Sequence, residues 1–286
     1  MITCRPPLAV TLDLDDTVFA QRVYLDEAWR AVAAAAGRHS IPGQPLRVAL
    51  AEIAAEGSDR GRIIDRALAR CGVEALPGLV ADLVAAFRGF RPASLPAYPG
   101  VPERLRELRE YLPVGCITDG DPSIQRAKIA ALGLGQAFDT IVISDEIGRQ
   151  FRKPHAAPFR AALSALGVAP EDAIHVGDRP EKDIAGPHRL GMRAIRVRTG
   201  EYAGAPDGTP PPDFAFSDAA SALAALRDLV AAGGRRAPAE SDGWLLSVAS
   251  RVQGGMSYTR AGVIRRRAGP GRAAGAVQAD AVPGLA

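Results

Sequence analysis

Four short segments carry side chains that can do chemistry together. Asp13-Leu14-Asp15-Asp16-Thr17 closes one apolar run, and Thr118-Asp119-Gly120 closes another. Arg152-Lys153-Pro154 lies in a loop after a third run, and Gly177-Asp178 ends a fourth, with Asp183 five positions on. Together they supply carboxylates, a hydroxyl and a lysine. Phosphoryl transfer on a divalent cation requires that set, because carboxylates serve as nucleophiles and hard oxygen ligands while a lysine neutralises phosphate charge. Each piece also has a plain structural reading. Asp15 or Asp16 can sit in a turn, Thr118 can cap a helix, Lys153 can be a solvated surface charge, and Asp183 can be a first-turn acid. Their order tips the balance: each follows a predicted strand, and ligands of open α/β sheets collect beyond the carboxyl ends of the strands.

The elements that must hold these residues are legible as an alternation. Strand-length apolar runs occur at 8–14, 114–117, 140–143, 173–176, 194–197 and 214–216. Helical patterns follow at 121–132, opened by Asp121-Pro122 and closed at Gly133, at 156–166, closed at Gly167, and at 181–190, closed at Gly191. Alternating strands and helices predict an α/β fold, a Rossmann-like parallel sheet flanked by helices. Residues 21–90 interrupt it with four helical windows (24–36, 46–55, 61–70 and 79–87), which predicts an inserted helical domain; Pro92, Pro96, Pro99 and Gly100 mark the return to the sheet. The expected division is 1–20 and 91–233 for the α/β core, 21–90 for the helical insertion, and 234–286 for a loosely ordered tail.

Composition sets bounds on function. The chain has 286 residues, 47% hydrophobic and 23% charged, a globular mix that excludes fibrous and wholly disordered classes. Aromatics make up 5%, which disfavours a base-stacking platform for single-stranded nucleic acid. No apolar run is long enough for a membrane helix and no signal peptide is expected, so a soluble, cytoplasmic protein is predicted. Cys4, Cys71 and Cys116 are widely spaced and fit neither a disulfide framework nor a cysteine zinc site. Cys116 reads as a small core residue, and His39, His155, His175 and His188 read as surface or packing residues. The net charge of +3 is uneven: eight of the 35 basic and three of the 32 acidic residues lie from Arg235 onward, leaving the preceding part slightly acidic.

The four segments in this order resemble the motifs of the haloacid dehalogenase superfamily, over roughly residues 8–230. The resemblance implies that Asp13 is the nucleophile and Asp15 the acid/base, with Thr17 closing the first motif. It implies that Thr118, with Asp119, Gly120 and Lys153, binds the substrate phosphate, and that Asp13, Asp15 (through its carbonyl), Asp178 and Asp183 hold Mg²⁺. Asp119 stands where Asn is frequent in relatives. The helical insertion falls where the superfamily places a type 1 cap, and the stretches TDGDPSIQRAKIAALGL and HVGDRPEKDIAGPHRLGM look most like its metabolite phosphatases.

The expected activity is Mg²⁺-dependent hydrolysis of a small phosphorylated metabolite, a sugar phosphate or nucleotide, through an aspartyl phosphate. A haloacid dehalogenase uses the same nucleophile, but its relatives replace the carboxylate at Asp15. A phosphomutase would keep every motif residue. A non-catalytic binding module whose arginine-rich tail contacts nucleic acid is the reading from another class; with only Trp244 and Tyr258 interleaved in the tail, nucleic-acid binding is not expected. Neither substrate identity nor oligomeric state is readable.

Overall fold

The computed structural model describes residues 5–57 and 61–232; Cys4 and the expected tail at 234–286 lie outside them. Six strands, β1 (Ala9–Leu12), β2 (Val114–Thr118), β3 (Thr140–Ile143), β4 (Ala173–Gly177), β5 (Arg193–Val197) and β6 (Phe214–Phe216), pair in parallel in the order β3-β2-β1-β4-β5-β6. This is the doubly wound order, and it reverses direction at β1, where a crevice opens beyond the strand ends. The central strands β1, β2 and β4 are buried along their whole length because helices cover both faces.

Alternation along the strands sorts the side chains. Val10 and Leu12 of β1, Ile174 and Val176 of β4 and Ile195 and Val197 of β5 enter the main core. Thr11 pairs in register with His175, and the two side chains meet at 2.9 Å between Oγ1 and Nδ1. Among the helices of the α/β part, α5 (Val101–Arg109), α6 (Pro122–Ala131) and α10 (Ala219–Ala232) contribute to the main core, whereas α8 (Ala156–Leu166) forms a smaller cluster of Phe159, Ala162 and Leu163 with Ile117, Ala173 and Met192. The predicted start of α6 is observed in detail: Asp121 accepts from the Ser123 N–H at 2.9 Å and Pro122 takes the first turn. Helix α8 ends as expected at Gly167, with φ 69°.

Two elements depart from the sequence pattern. Helix α5 was not legible because its nine residues, VPERLRELR, are mostly charged, yet Val101, Leu105 and Leu108 keep a narrow buried stripe. The helix expected at 181–190 is instead a wide π turn, Pro180–Ile184, followed by the short α9 (Ala185–His188). The Asp183 N–H donates to the Arg179 carbonyl at 2.7 Å, a local contact that places its side chain under the end of β4.

Helices α1 (Gln21–Ala36), α2 (Gly43–Ala55), α3 (Ile63–Arg70) and α4 (Pro77–Gly89) share their own buried cluster, which includes Trp29, Leu46, Leu50, Leu68 and Leu83. Leu25 and Phe87 pack against both this cluster and the main core. No helix among the described residues is long and apolar enough to cross a membrane.

Candidate active site

The switch point at β1 brings the four sequence segments together. Asp13 continues past β1, and its N–H donates to the Val176 carbonyl of β4 at 2.9 Å, which fixes the loop against the neighbouring strand. Its carboxylate meets the Lys153 ammonium at 2.5 Å. Lys153 Nζ also donates to Asp183 Oδ1 at 2.7 Å and to the Ile117 carbonyl at 3.2 Å. Asp178 accepts from Thr17 Oγ1 at 3.3 Å, so the last residue of the first motif reaches the fourth.

Asp13, Asp178 and Asp183 are buried, each with a carboxylate oxygen within 4.8 Å of the others. Burial pushes the Asp13 carboxyl up to about 7, against the pull of Lys153 and with a further push from Asp183. Asp178 is likewise driven well above the ordinary carboxylate range by burial, then by Asp183 and Asp13. At Asp183 burial pushes upward too, but the Lys153 ammonium and the contact with His175 outweigh it and hold the group low. Burial works against the charge on Lys153, yet Asp13, Asp183 and Asp119 raise it. With all three ionised, the buried carboxylates would exceed the one ammonium by two charges, which burial resists in the absence of a cation. All-oxygen donors with that excess of negative charge suit a hard divalent cation.

Asp15 is handled differently. Its side chain is outside the three-carboxylate cluster, held by Lys128 Nζ at 2.7 and 2.9 Å and by Gln125 Nε2 at 2.9 Å. Lys128 is buried, 4.7 Å from the centroid of the Tyr24 ring of α1. Gln125 Nε2 also lies 2.8 Å from Thr118 Oγ1 and 2.5 Å from the Asp119 carbonyl, so its two N–H groups are shared among three oxygens. The Asp119 carboxylate braces the loop before α8, taking the Lys153 N–H at 3.0 Å and pairing with Lys182 at 3.2 Å. Gly120 joins Thr118 and Lys153 in lining the crevice.

Asp16 is a structural turn residue. At φ 58° it accepts from the backbone N–H groups of Gln21 and Glu201, and its own carbonyl accepts from the Thr199 hydroxyl. A side chain at Gly200 would place its Cβ 2.0 Å from Asp16 Cγ, so glycine is required there.

The sequence reading does not single out Gln125 or Lys128, takes His175 as a surface or packing residue, and leaves Arg179 open between a substrate contact and an ion pair. Gln125 and Lys128 stand one turn apart on the buried face of α6, with Ile124 and Ile129, and a lysine within such an apolar stripe was the available signal. His175 is more than a packing residue: it sits edge-on to Phe159 and contacts Asp183 at 3.3 Å. A histidine inside an otherwise apolar strand gave little hint of that partner. Arg179 stacks over Tyr202 with its guanidinium carbon 4.2 Å from the ring centroid and donates to the Tyr202 hydroxyl at 2.8 Å. Cys116 is fully buried in β2, where burial raises its thiol, in keeping with a core role.

Above the carboxylates lies a cavity of about 530 Å³, whose far wall is built by α1, α3 and α4 through Tyr24, Leu25, Trp29, Ile64, Val84 and Phe87. A carboxylate cluster with a buried lysine at the switch point of a Rossmann-like sheet, roofed by a helical insertion, defines a class of α/β enzymes that act on small anionic substrates.

Comparison with known proteins agrees. The family model for haloacid dehalogenase-like hydrolases matches residues 8–191, and the chain belongs to that family. It is 38% identical over 200 residues to a glyceraldehyde 3-phosphate phosphatase of Methanopyrus kandleri, covering 68% of this chain and 85% of that one. It is 37% identical over 175 residues to a phosphoserine phosphatase of Thermus thermophilus, covering 60% of this chain and 66% of the relative. Among solved structures, a 2-haloacid dehalogenase from Pseudomonas syringae pv. Tomato DC3000 superposes with a TM-score of 0.55 at 26% identity, covering 79% of this chain and 98% of that one.

Proposed function

We propose that this chain is a phosphatase: a phosphoric monoester hydrolase of a small phosphorylated metabolite, working in the cytoplasm with Mg²⁺ and Asp13 as nucleophile. One observation carries the reading. Asp13 lies in a buried, cation-deficient carboxylate cluster beside Lys153, while Asp15, two residues later, is withheld from that cluster by Lys128 and Gln125. Two carboxylates in two environments suit two roles, attack and proton transfer. The relatives named for glyceraldehyde 3-phosphate and phosphoserine support a small substrate.

On this reading Asp13 attacks phosphorus and the ester P–O bond breaks, leaving an aspartyl phosphate. Asp15 protonates the departing alkoxide and then takes a proton from the water that attacks phosphorus, which restores the Asp13 carboxylate. Lys153 neutralises the phosphoryl oxygens, and Thr118 donates its hydroxyl proton to one of them. Asp13, Asp178 and Asp183 would hold Mg²⁺, with the Asp15 carbonyl as a further oxygen donor; when bound, the cation screens the repulsion between phosphate and carboxylate. Thr17 fixes Asp178, and His175 with Lys153 fixes Asp183. Residues 21–90 would act as a cap, closing the cavity against bulk water.

A dehalogenase on the same fold uses the same attacking carboxylate, but halide needs no proton on leaving, which gives Asp15 no task. The test is phosphate release from a metabolite panel, with and without Mg²⁺, for wild type and Asp13→Asn. Release that depends on the metal and falls about 10³-fold or more in the variant is expected. Release that survives the substitution or ignores the metal would defeat the mechanism. Chloride from a haloacid, with no phosphate from any ester, would replace the reading with dehalogenation.

A further inference from the structure

Asp119 places a further carboxylate beside Thr118 and Lys153, and its two oxygens are treated differently. Oδ1 accepts from the Lys153 N–H at 3.0 Å, which holds the loop that carries that lysine. Oδ2 is shut off from solvent and has no hydrogen-bond partner among the described residues. What stands by it is an ammonium: Lys182 Nζ lies 3.2 Å away, and the Lys182 and Asp119 side chains are 19 and 11% exposed. A carboxylate oxygen taken out of water without a hydrogen bond depends on a neighbouring cation, so this pair is more than a surface contact.

Lys182 reaches Asp119 through the wide turn at Pro180–Ile184. The turn that brings Asp183 to Lys153 brings the residue before it to the end of β2. Both Lys182 and Asp119 line the crevice. Three other cations of the crevice are committed elsewhere. Lys153 meets Asp13 and Asp183, Lys128 meets Asp15, and Arg152 makes a two-pronged contact with Asp145 at 2.6 Å. None of the three can take over Asp119 without leaving its own carboxylate uncompensated.

The consequence is electrostatic. Asp119 adjoins Thr118 in the chain and holds the backbone of Lys153, so its charge acts on a phosphate bound by those two residues. Like charges a few ångströms apart repel strongly in a site from which water is partly excluded. We infer that Lys182 is a positioning residue of the active site: its ammonium cancels the charge of Asp119, which lets Asp119 anchor the Lys153 loop without repelling the substrate phosphate. This inference rests on the phosphatase reading and adds to it a residue outside the motif positions.

The test uses p-nitrophenyl phosphate with Mg²⁺, because its leaving group needs no proton and the rate reports on the phosphate. Lys182→Met keeps the alkyl stem and drops the charge. Its kcat/KM should fall at least about tenfold, mainly through KM, and competitive inhibition by inorganic phosphate should weaken by a similar factor. Lys182→Arg keeps the charge and should stay within about threefold of wild type. Asp119→Asn keeps an acceptor for the Lys153 N–H and drops the charge. Added to Lys182→Met, it should restore kcat/KM and phosphate inhibition to within about threefold of wild type. An unchanged Lys182→Met would overturn the inference. So would a double variant no better than Lys182→Met, which is the result expected of a lysine that serves only the fold or bonds the phosphate itself. If wild type hydrolyses no phosphate ester, the phosphatase reading fails, and the inference is judged by binding alone. Inorganic phosphate with Mg²⁺ must then raise the Tm of wild type and of the double variant more than that of Lys182→Met. Equal rises, or no rise in wild type, would overturn the inference.

Discussion

Lys128 separates two ways in which Asp15 can matter. Its ammonium meets both Asp15 oxygens, at 2.7 and 2.9 Å, so Lys128→Met leaves the Asp15 carboxyl without its orienting charge. Proton transfer to an alkoxide leaving group should suffer about 10²-fold, whereas p-nitrophenolate leaves without a proton and its release should fall far less. Measuring kcat for an alkyl and an aryl phosphate checks this, and equal losses would reduce Lys128 to a packing residue. Gly177 gives a second prediction at this scale. A Cβ there would lie 2.4 Å from Asp183 Cγ, so Gly177→Ala must displace that carboxylate from the cluster. Phosphate release should fall about 10²-fold, because misplacement near 1 Å at a reacting centre costs that much, and the urea midpoint should drop as well. Both glycines with a demanding role, Gly177 and Gly200, stood plainly in the sequence. Their necessity lies in what approaches them: Asp183, turned back by the π turn, at Gly177, and the sequence-distant Asp16 at Gly200.

Among the elements, α10 offers the clearest test of a helix start. Asp218 precedes it and accepts from the Ser221 N–H at 2.8 Å, from the Ser217 hydroxyl at 2.6 Å and from the Ser221 hydroxyl at 3.1 Å. Slight burial nudges its carboxyl upward, but these hydrogen bonds win and hold it below the usual value. A group depressed in the folded state stabilises fully above its unfolded value of about 3.9, and that contribution is lost as pH falls through the lower folded value. Asp218→Ala should cost about 1 kcal/mol at neutral pH by urea denaturation, and Asp218→Asn should restore most of it without the acid dependence. The elements show where sequence patterns carried and where they stopped. Helix α8 and the start of α6 were readable because caps and glycine stops act locally. The π turn at Pro180–Ile184 was not, since it is set by the carboxylate that Lys153, His175 and the Arg179 N–H hold in place.

For the whole molecule, the proposed cation site would tie stability to the metal. Asp13, Asp178 and Asp183 repel one another with one buried lysine among them, so removing one negative charge should relieve the metal-free fold. Asp178→Asn is expected to raise the Tm in the presence of chelator and to abolish the further rise that Mg²⁺ gives the wild type, as thermal denaturation with and without the ion will show. A variant that loses stability without metal would mean that the cluster is neutralised another way. The sequence by itself determined the alternation of strands and helices and the run of helices that follows β1, because period and caps are written over a few neighbouring positions. Only the tertiary structure decided which carboxylates lie together and which is held apart. It also decided that Gln125 and Lys128 of α6 reach Asp15, and that Tyr24 and Trp29 of α1 line the same cavity. Most of these meetings join residues more than a hundred positions apart, and parallel strand order, not local pattern, brings them together.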